Sequence, residues 1–175
     1  MRLFHFSEES DIDVFEPQPV NIPSTRAPGS EWLNGPLVWA IDEWHQPMYL
    51  FPRDCPRILI WPVPSTTPND LRIYWGASSH RMIASIEWSW LEKLSGVVLY
   101  RYELPVNSFE SLDDAGMWVS RTSVKPINVE QINDIRSALR ACEVELRIMP
   151  SLSPLKDLWT TSMHVSGIRL RNTSE

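Results

Sequence analysis

The sequence predicts a single α+β domain, residues 1–175, with a mixed, mainly antiparallel sheet and a few short helices. Three observations lead to this prediction. Apolar stretches with strand patterning outnumber helical ones and are spread along the whole chain. A chain of 175 residues suits one domain, and it can bury roughly 70% of its unfolded surface. The chain shows no internal repeat and no long linker between two folding units.

Five stretches in the first half of the chain have the pattern of short strands. They alternate apolar and polar residues or are apolar throughout, and turn-forming residues bound them. The predicted strands are Arg2–Phe6, Leu37–Ile41, Arg57–Trp61, Leu71–Trp75 and Met82–Trp88. The fourth has the weakest pattern. A short helix around Trp90–Leu94 follows the fifth; the alternative is one helix from Met82 to Leu94, because apolar residues there also share a helical face.

Proline shapes the segments between these strands, since eleven of the fifteen prolines lie in the first 68 residues. The stretch Pro17–Pro36 contains five prolines and two glycines and predicts an extended surface loop. Asp42 is the predicted N-cap of a short helix that runs through Phe51, with Pro47 limiting its regularity. Pro52–Arg57 is a predicted turn, because its two prolines exclude a central strand.

The second half predicts three strands and the best helix of the chain. The strands are Val97–Leu104, Val144–Ile148 and Ser162–Arg171, the last kinked near Gly167. The helix begins at its N-cap, Asn128. Gln131 completes a capping-box-like pair there, and Ile127 packs on Ile132. The predicted buried stripe of this helix is Val129, Ile132, Ile135 and Leu139.

Composition excludes several classes of protein. The net charge of −6 argues against DNA or an anionic membrane as the main partner. No apolar run reaches the length of a membrane span, and the acidic start lacks the order of a signal peptide. Two cysteines suit a reducing compartment, so we expect a cytoplasmic protein. Nine tryptophans favour a thick core or an aromatic-lined pocket.

Several familiar chemistries lack their sequence signals. The four histidines show no metal-ligand spacing, so no metal site is expected. The chain contains no GxSxG elbow, P-loop or GxGxxG fingerprint. Cys55 lies between two arginines, which would favour a nucleophilic thiolate with His5 or His45 as base and Asp42 or Asp54 orienting that base. The alternative is a buried, inert thiol.

The remaining constellation points to a nucleoside. His5 and Ser7 end the first strand, and Tyr49 lies in the segment after the second. An imidazole and a hydroxyl can bond to ribose hydroxyls, while an aromatic ring stacks on a base. Arg53 or Arg57 would meet the pyrophosphate. The alternative is that His5 caps a strand and Tyr49 packs in the core.

Three segments of the chain carry a resemblance to known proteins. LFHFSEE, VWAIDEWHQPMYLFPRDCPR and HVSGIRLRN resemble a small family of uncharacterised bacterial proteins over essentially the whole chain. The order of elements is also similar to the ADP-ribosyltransferase-type fold. His5 with Ser7, and Trp39-Ala40 followed by Tyr49, resemble the motifs of its first two strands. This resemblance implies a split β-sheet that cradles NAD.

The sequence departs from that family at the catalytic acid. The comparable segment, residues 115–120, contains no glutamate, although Glu103 or Glu110 could substitute for it. Three hypotheses follow: an NAD-binding transferase, a cleft that holds a nucleotide or small acid without chemistry, and an interaction module. In the third, exposed tryptophans mark a homodimer or partner surface.

Overall fold

A computed structural model describes residues 1–174 and confirms an α+β protein with mostly antiparallel sheets and short helices. Numbered along the chain, the strands are β1 (Leu3–Ser7), β2 (Val38–Asp42), β3 (Arg57–Trp61), β4 (Met82–Glu87), β5 (Leu99–Leu104), β6 (Glu110–Ser111), β7 (Met117–Ser120), β8 (Asn128–Ile132), β9 (Val144–Met149) and β10 (His164–Ile168). The α-helices are α1 (Pro68–Asp70), α2 (Leu91–Gly96) and α3 (Ile135–Ala141).

The chain forms two compact units, each built from two separate segments. The first unit comprises Met1–Gln46 and Leu99–Gln131. The second comprises Pro47–Val98 and the chain from Ile132 onward. Whether the two fold as one domain, as the sequence predicts, stays a prediction.

The first unit is built on a six-stranded sheet of order β6-β7-β2-β1-β5-β8. The pairs β1–β2, β1–β5, β2–β7 and β6–β7 are antiparallel. Alternate residues of these strands point to one face of the sheet and form the core there. That core consists of Leu3, Phe15, Val38, Ala40, Tyr102, Leu104 and Val124.

The second unit is built on a four-stranded sheet of order β10-β3-β4-β9, in which only β4 and β9 run parallel. Strand β3 is buried along its whole length, as is β4. Helices α2 and α3 contact each other in this unit. Leu94 on α2 and Leu139 on α3 are both buried.

Most of the predicted strands are confirmed. They are β1, β2, β3, β4, β5, β9 and β10, each shifted by no more than a few residues from the predicted range. The segment after β4 forms a 3-10 turn followed by α2, so the single helix from Met82 to Leu94 is excluded. The Pro17–Pro36 segment is mostly exposed, with a 3-10 turn at Glu31–Asn34.

The predicted strand at Leu71–Trp75 is wrong, because this stretch is a π-helical turn. The Thr67 side chain accepts a hydrogen bond from the Asp70 backbone, and Pro68 occupies the first helical turn. These two residues start a helix, and the backbone N–H of Gly76 then bonds to the carbonyl of Leu71. Local capping therefore overrides the strand propensity of the apolar residues.

The predicted helix start at Asn128 is also wrong, because Asn128–Ile132 forms the edge strand β8. The helix begins six residues later at the N-cap Asp134, whose side chain accepts from the backbone N–H of Ser137. Val129 is 46% exposed and takes no part in a buried stripe. Ile135 and Leu139 are the buried residues of α3, so the second half of the predicted stripe is confirmed. Ile132 is buried too, but it belongs to β8.

Two boundaries differ in detail. Asp42 does cap a turn, since its carboxylate accepts from the backbone N–H of His45, but the helix that follows is a 3-10 turn at Gln46–Tyr49. The last strand stops at Ile168 rather than bending at Gly167. Arg169 adopts the left-handed conformation, with φ of 56°, and starts another 3-10 turn.

Candidate functional site

His5 lies where strands β1 and β2 of the first unit separate. Strand β1 pairs with β5 along its full length but with β2 at only two positions, Leu3 with Asp42 and Phe4 with Ile41. The ring of His5 bridges the opening, because its Nδ1 lies 2.8 Å from the Trp39 carbonyl oxygen. A carbonyl oxygen only accepts, so Nδ1 donates in this bond.

The protein's own chain enters the opening between β1 and β2. The Phe15 ring lies 4.7 Å from the His5 ring, centre to centre. Gln18 exchanges both backbone hydrogen bonds with Leu37, the residue before β2. The Ser7 hydroxyl accepts from the backbone N–H of Glu9 at 3.1 Å. His5 therefore bonds across the place where β1 and β2 separate. The split sheet that the resemblance implies stays a prediction.

Tyr49 and Arg57 come together in the second unit, at the start of β3. The Arg57 guanidinium carbon lies 5.8 Å from the centre of the Tyr49 ring and 5.3 Å from that of Phe51. Its Nε donates to the Met48 carbonyl at 2.7 Å, and Nη1 donates to the Cys55 carbonyl at 2.8 Å. Arg57 thus holds the proline-bounded turn against the strand that follows it.

Arg57 is a buried cation that lacks an acidic partner. The residue is only 2% exposed, and among residues 1–174 no carboxylate lies within 4.0 Å of its nitrogens. Burial lowers the pKa of Arg57 to about 10, so the side chain still carries its charge at neutral pH. A buried charge without a counter-ion is costly, and a bound anion would offset that cost.

Two further arginines lie at the same turn. Arg169 donates from Nε to the Arg53 carbonyl at 3.3 Å, and its charge also depresses the pKa of Arg57. The exposed carboxylate of Asp54 lies 3.9 Å from Arg169 Nε. We call Arg53, Arg57 and Arg169 the arginine cluster: the charges of Arg57 and Arg169 interact, and Arg169 bonds to the backbone of Arg53.

Cys55 is not the nucleophile that its arginine neighbours suggest. The thiol is buried, and burial raises its pKa to about 12 despite the nearby positive charges. Its Sγ donates to the Pro56 carbonyl at 3.6 Å. A thiol that stays protonated at neutral pH cannot act as a thiolate. The structure confirms that Cys55 is a buried free cysteine, as the alternative predicts.

Asp42 and His45, which the sequence suggests as an orienting acid and a base, do form a pair in the first unit. The Asp42 carboxylate accepts from the backbone N–H of His45 at 2.8 Å and from its ring Nδ1 at 2.8 Å. Burial raises the pKa of Asp42, but the hydrogen bonds from His45 lower it further, so the net pKa is below its ordinary value. Gly116 packs against both residues, with φ of 72°.

The two glutamates that could replace the missing catalytic acid are both in ion pairs. Glu103 on β5 accepts from Arg2 Nε at 3.1 Å and from Arg2 Nη2 at 2.7 Å. Glu110 on β6 lies 3.1 Å from Arg121 Nε. The residues at positions 115–120 include strand β7 and contain no acid.

Sequence reasoning placed Tyr49, Arg53 and Arg57 on one short stretch, and the structure keeps all three in the second unit. His5 and Ser7 belong to the first unit. The residue that sequence reasoning missed is Arg169, which is more than one hundred positions away from the turn it contacts. Only tertiary structure brings it there, although its segment, HVSGIRLRN, is one of the three that carry the resemblance.

The described part of the chain contains neither a cluster of metal ligands nor a membrane-spanning helix. No three histidine, cysteine, aspartate or glutamate side chains gather where they could hold a metal ion. No helix within residues 1–174 is long and apolar enough to cross a membrane.

The profile of one protein family, described as a family of unknown function (DUF6886), matches residues 4–173. The chain therefore belongs to this family. No curated protein and no solved structure matches the chain.

Proposed function

We propose that this member of DUF6886 binds a ribonucleotide-like ligand of the NAD or ADP-ribose class, with the arginine cluster of the second unit receiving its phosphate groups. One observation carries the proposal: Arg57 is buried and charged, and no carboxylate within residues 1–174 pairs with it. Two carbonyl acceptors satisfy some of its N–H groups but supply no negative charge.

Guanidinium groups bind oxyanions such as phosphate well. Their planar N–H groups match the oxygens of a phosphate in a bidentate geometry. Arg53 is exposed and Arg169 is partly exposed, so both can reach a ligand at the surface. Arg57 is buried, and its charge, which interacts with that of Arg169, adds to the positive potential of the cluster.

The aromatic residue beside the cluster favours a nucleotide over a simple phosphate. Tyr49 lies next to the Arg57 guanidinium and is partly exposed. A planar base can stack on such a ring while the arginines bind the charged part of the ligand. That His5 and Ser7 of the first unit contact ribose hydroxyls is a separate prediction, and a variant at His5 tests it.

Binding without chemistry is the second candidate function, and one observation favours it. No acid stands at positions 115–120, and Glu103 and Glu110 are both engaged by arginines. An ADP-ribosyl transfer needs a negative charge to stabilise the oxocarbenium-like transition state. Incubating the protein with NAD and measuring nicotinamide release separates the two functions.

The binding proposal is tested by calorimetric titration with ADP-ribose, AMP and inorganic phosphate. We expect ADP-ribose to bind, and Arg53→Ala and Arg169→Ala each to weaken binding by about 10- to 100-fold, the value of a hydrogen bond to a charged group. Arg121→Ala is the matched control, because Arg121 is an exposed, ion-paired arginine in the other unit. The proposal fails if no compound binds the wild type, or if the control loses as much affinity as the cluster variants.

His5→Ala tests the prediction for the first unit in the same titration. Unchanged ADP-ribose affinity in His5→Ala would remove His5 from the ligand contacts and leave the arginine cluster as the binding element. A loss that matches the loss in Arg53→Ala would support the ribose role.

A further inference from the structure

The second unit contains a cavity of about 500 Å³ that is separate from the arginine cluster in its lining residues. Its walls are mostly apolar and come from strands β3, β4 and β9, the π-helical turn and the 3-10 helix at Ser153–Thr160. Ile73 lines the cavity and is 53% exposed, so it stands at the mouth. Volume and lining are both typical of a site for a small organic molecule.

Two polar side chains lie side by side in this apolar lining. Ser85 on β4 and Arg147 on β9 are register partners in the parallel pair, so they face the same side of the sheet. Ser85 is only 5% exposed, and its hydroxyl makes no hydrogen bond within residues 1–174. Because Ser85 lines the cavity, its hydroxyl can donate a hydrogen bond to a ligand that carries an acceptor.

Arg147 is held in place by hydrogen bonds, and its positive charge is paired with Glu145. Its Nε donates to Glu145 at 2.7 Å, while Nη1 and Nη2 donate to the carbonyls of Tyr74 and Trp75. A guanidinium has about five N–H groups, so N–H donors remain for a ligand. A hydrogen bond from Ser78 lowers the pKa of Glu145, burial raises it, and Arg147 lowers it, with the net value below the ordinary one. Glu145 therefore stays negative at neutral pH.

The two carbonyls that Arg147 holds belong to the π-helical turn. Such turns are rare and recur at functional sites, because they redirect side chains that a regular helix would place elsewhere. Here the turn contributes Ile73 and Tyr74 to the cavity lining. Arg147 thus links strand β9 to the turn that carries Ile73.

We propose that this cavity binds a small, mainly apolar molecule that carries one neutral hydrogen-bond acceptor, such as a ketone or amide oxygen, placed against Ser85 and Arg147. The apolar walls select the body of the ligand through burial of apolar surface. The neutral acceptor follows from Glu145, because a ligand carboxylate would lie near a negative charge that already neutralises Arg147.

Calorimetric titration with 2-nonanone, and with nonanoate as the anionic analogue of equal chain length, tests this proposal. We expect 2-nonanone to bind the wild type and to bind more tightly than nonanoate. Ser85→Ala should weaken 2-nonanone binding by about 3- to 10-fold, the value of one neutral hydrogen bond. Ile73→Trp places a bulky side chain at the mouth and should abolish binding.

Matched controls come from the first unit. Ser120→Ala removes the hydroxyl of another buried strand serine, and Ile127→Trp alters another exposed isoleucine. Both controls should bind 2-nonanone as the wild type does. The site is overturned if 2-nonanone does not bind the wild type, or if Ile73→Trp binds it unchanged. Tighter binding of nonanoate would overturn the neutral head group. The result is independent of the ADP-ribose titration, because the two experiments share no residue.

Discussion

The backbone of Gly116 packs closely against the Asp42–His45 pair. A Cβ atom at this position would lie 2.2 Å from His45 Nδ1 and 2.6 Å from Asp42 Oδ2, and φ is 72°. Asp113 and Ala115 in the same turn also have positive φ. Three left-handed residues within four positions are costly and are tolerated only where the surroundings impose them. The conformation of this turn therefore brings the Gly116 backbone into close packing with Asp42 and His45.

Gly116→Ala is expected to lower the free energy of unfolding by about 3 kcal/mol, because the clash adds to the cost of the left-handed conformation. Urea denaturation measures the loss. Gly29→Ala is the matched control: its φ is 88°, but nothing lies within 4 Å of an added Cβ. The control should lose only about 1 kcal/mol. Equal losses in the two variants would show that the contact with Asp42 and His45 carries no energy.

The Asp42 carboxyl gives the stability of the protein a specific pH dependence. Its folded pKa is below the unfolded value of about 3.9, because the hydrogen bonds from His45 outweigh burial. The unfolded state therefore takes up the proton first as the solution becomes acidic. The stabilisation is present above the unfolded pKa and is lost as the pH falls through the folded pKa.

Comparing wild type with Asp42→Asn tests this dependence. We expect the variant to be less stable by about 1–2 kcal/mol near neutral pH. The difference should shrink as the pH falls below about 4. Asp157→Asn, at an exposed aspartate, is the control and should show little difference at any pH. A difference between Asp42→Asn and wild type that does not change with pH would contradict the assignment.

At the scale of single elements, helix α3 depends on Asp134 rather than on the asparagine that the sequence suggests. The Asp134 side chain accepts from the backbone N–H of Ser137 at 3.0 Å. Asp134→Ala should therefore lower the free energy of unfolding by about 1 kcal/mol. Asn128→Ala is the control, since Asn128 lies exposed on strand β8 and should change stability by less than about 0.5 kcal/mol. The reverse order would place the helix start at Asn128. Thermal or urea unfolding of both variants settles this.

Strands that are buried on at least one face could be predicted from their patterns. β3, buried along its whole length, reads as a continuous apolar run, and β9 reads as an alternation. The wrong predictions concern stretches whose apolar residues fit both the spacing of a helix and that of a strand. The residues of β8 fit a helical stripe by spacing, but they pair with β5 at the edge of the sheet. Position in a sheet depends on distant partners, which local spacing does not encode.

The same reasoning explains which residues of the candidate site could be predicted to lie together. The short stretch from Tyr49 to Arg57 could be identified because its residues are close in sequence and the turn that joins them is fixed by two prolines. Arg169 could not, since its contact with the Arg53 carbonyl spans 116 positions. The cavity beside Ser85 could not be predicted either, because it forms between strands and turns that are distant along the chain.

At the scale of the whole molecule, both units combine an early and a late segment of the chain, so folding of either needs both halves. Each unit takes one segment from the first 98 residues and one from the remainder. In the first unit, β1 needs β5 and β2 needs β7 from the later segment. In the second unit, β4 needs β9 and β3 needs β10. Neither sheet is complete before the later half is present.

A fragment of residues 1–98 is therefore expected to be unfolded, because its strands would leave unpaired edges and exposed apolar faces. Its amide NMR spectrum should show narrow dispersion, and its far-UV circular dichroism should lack the sheet signal of the full chain in the same buffer. Adding the fragment of residues 99–175 should restore dispersed signals, since it supplies the missing partners of both sheets. A dispersed spectrum from residues 1–98 alone would contradict this, and would mean that four strands and two short helices suffice for a stable core.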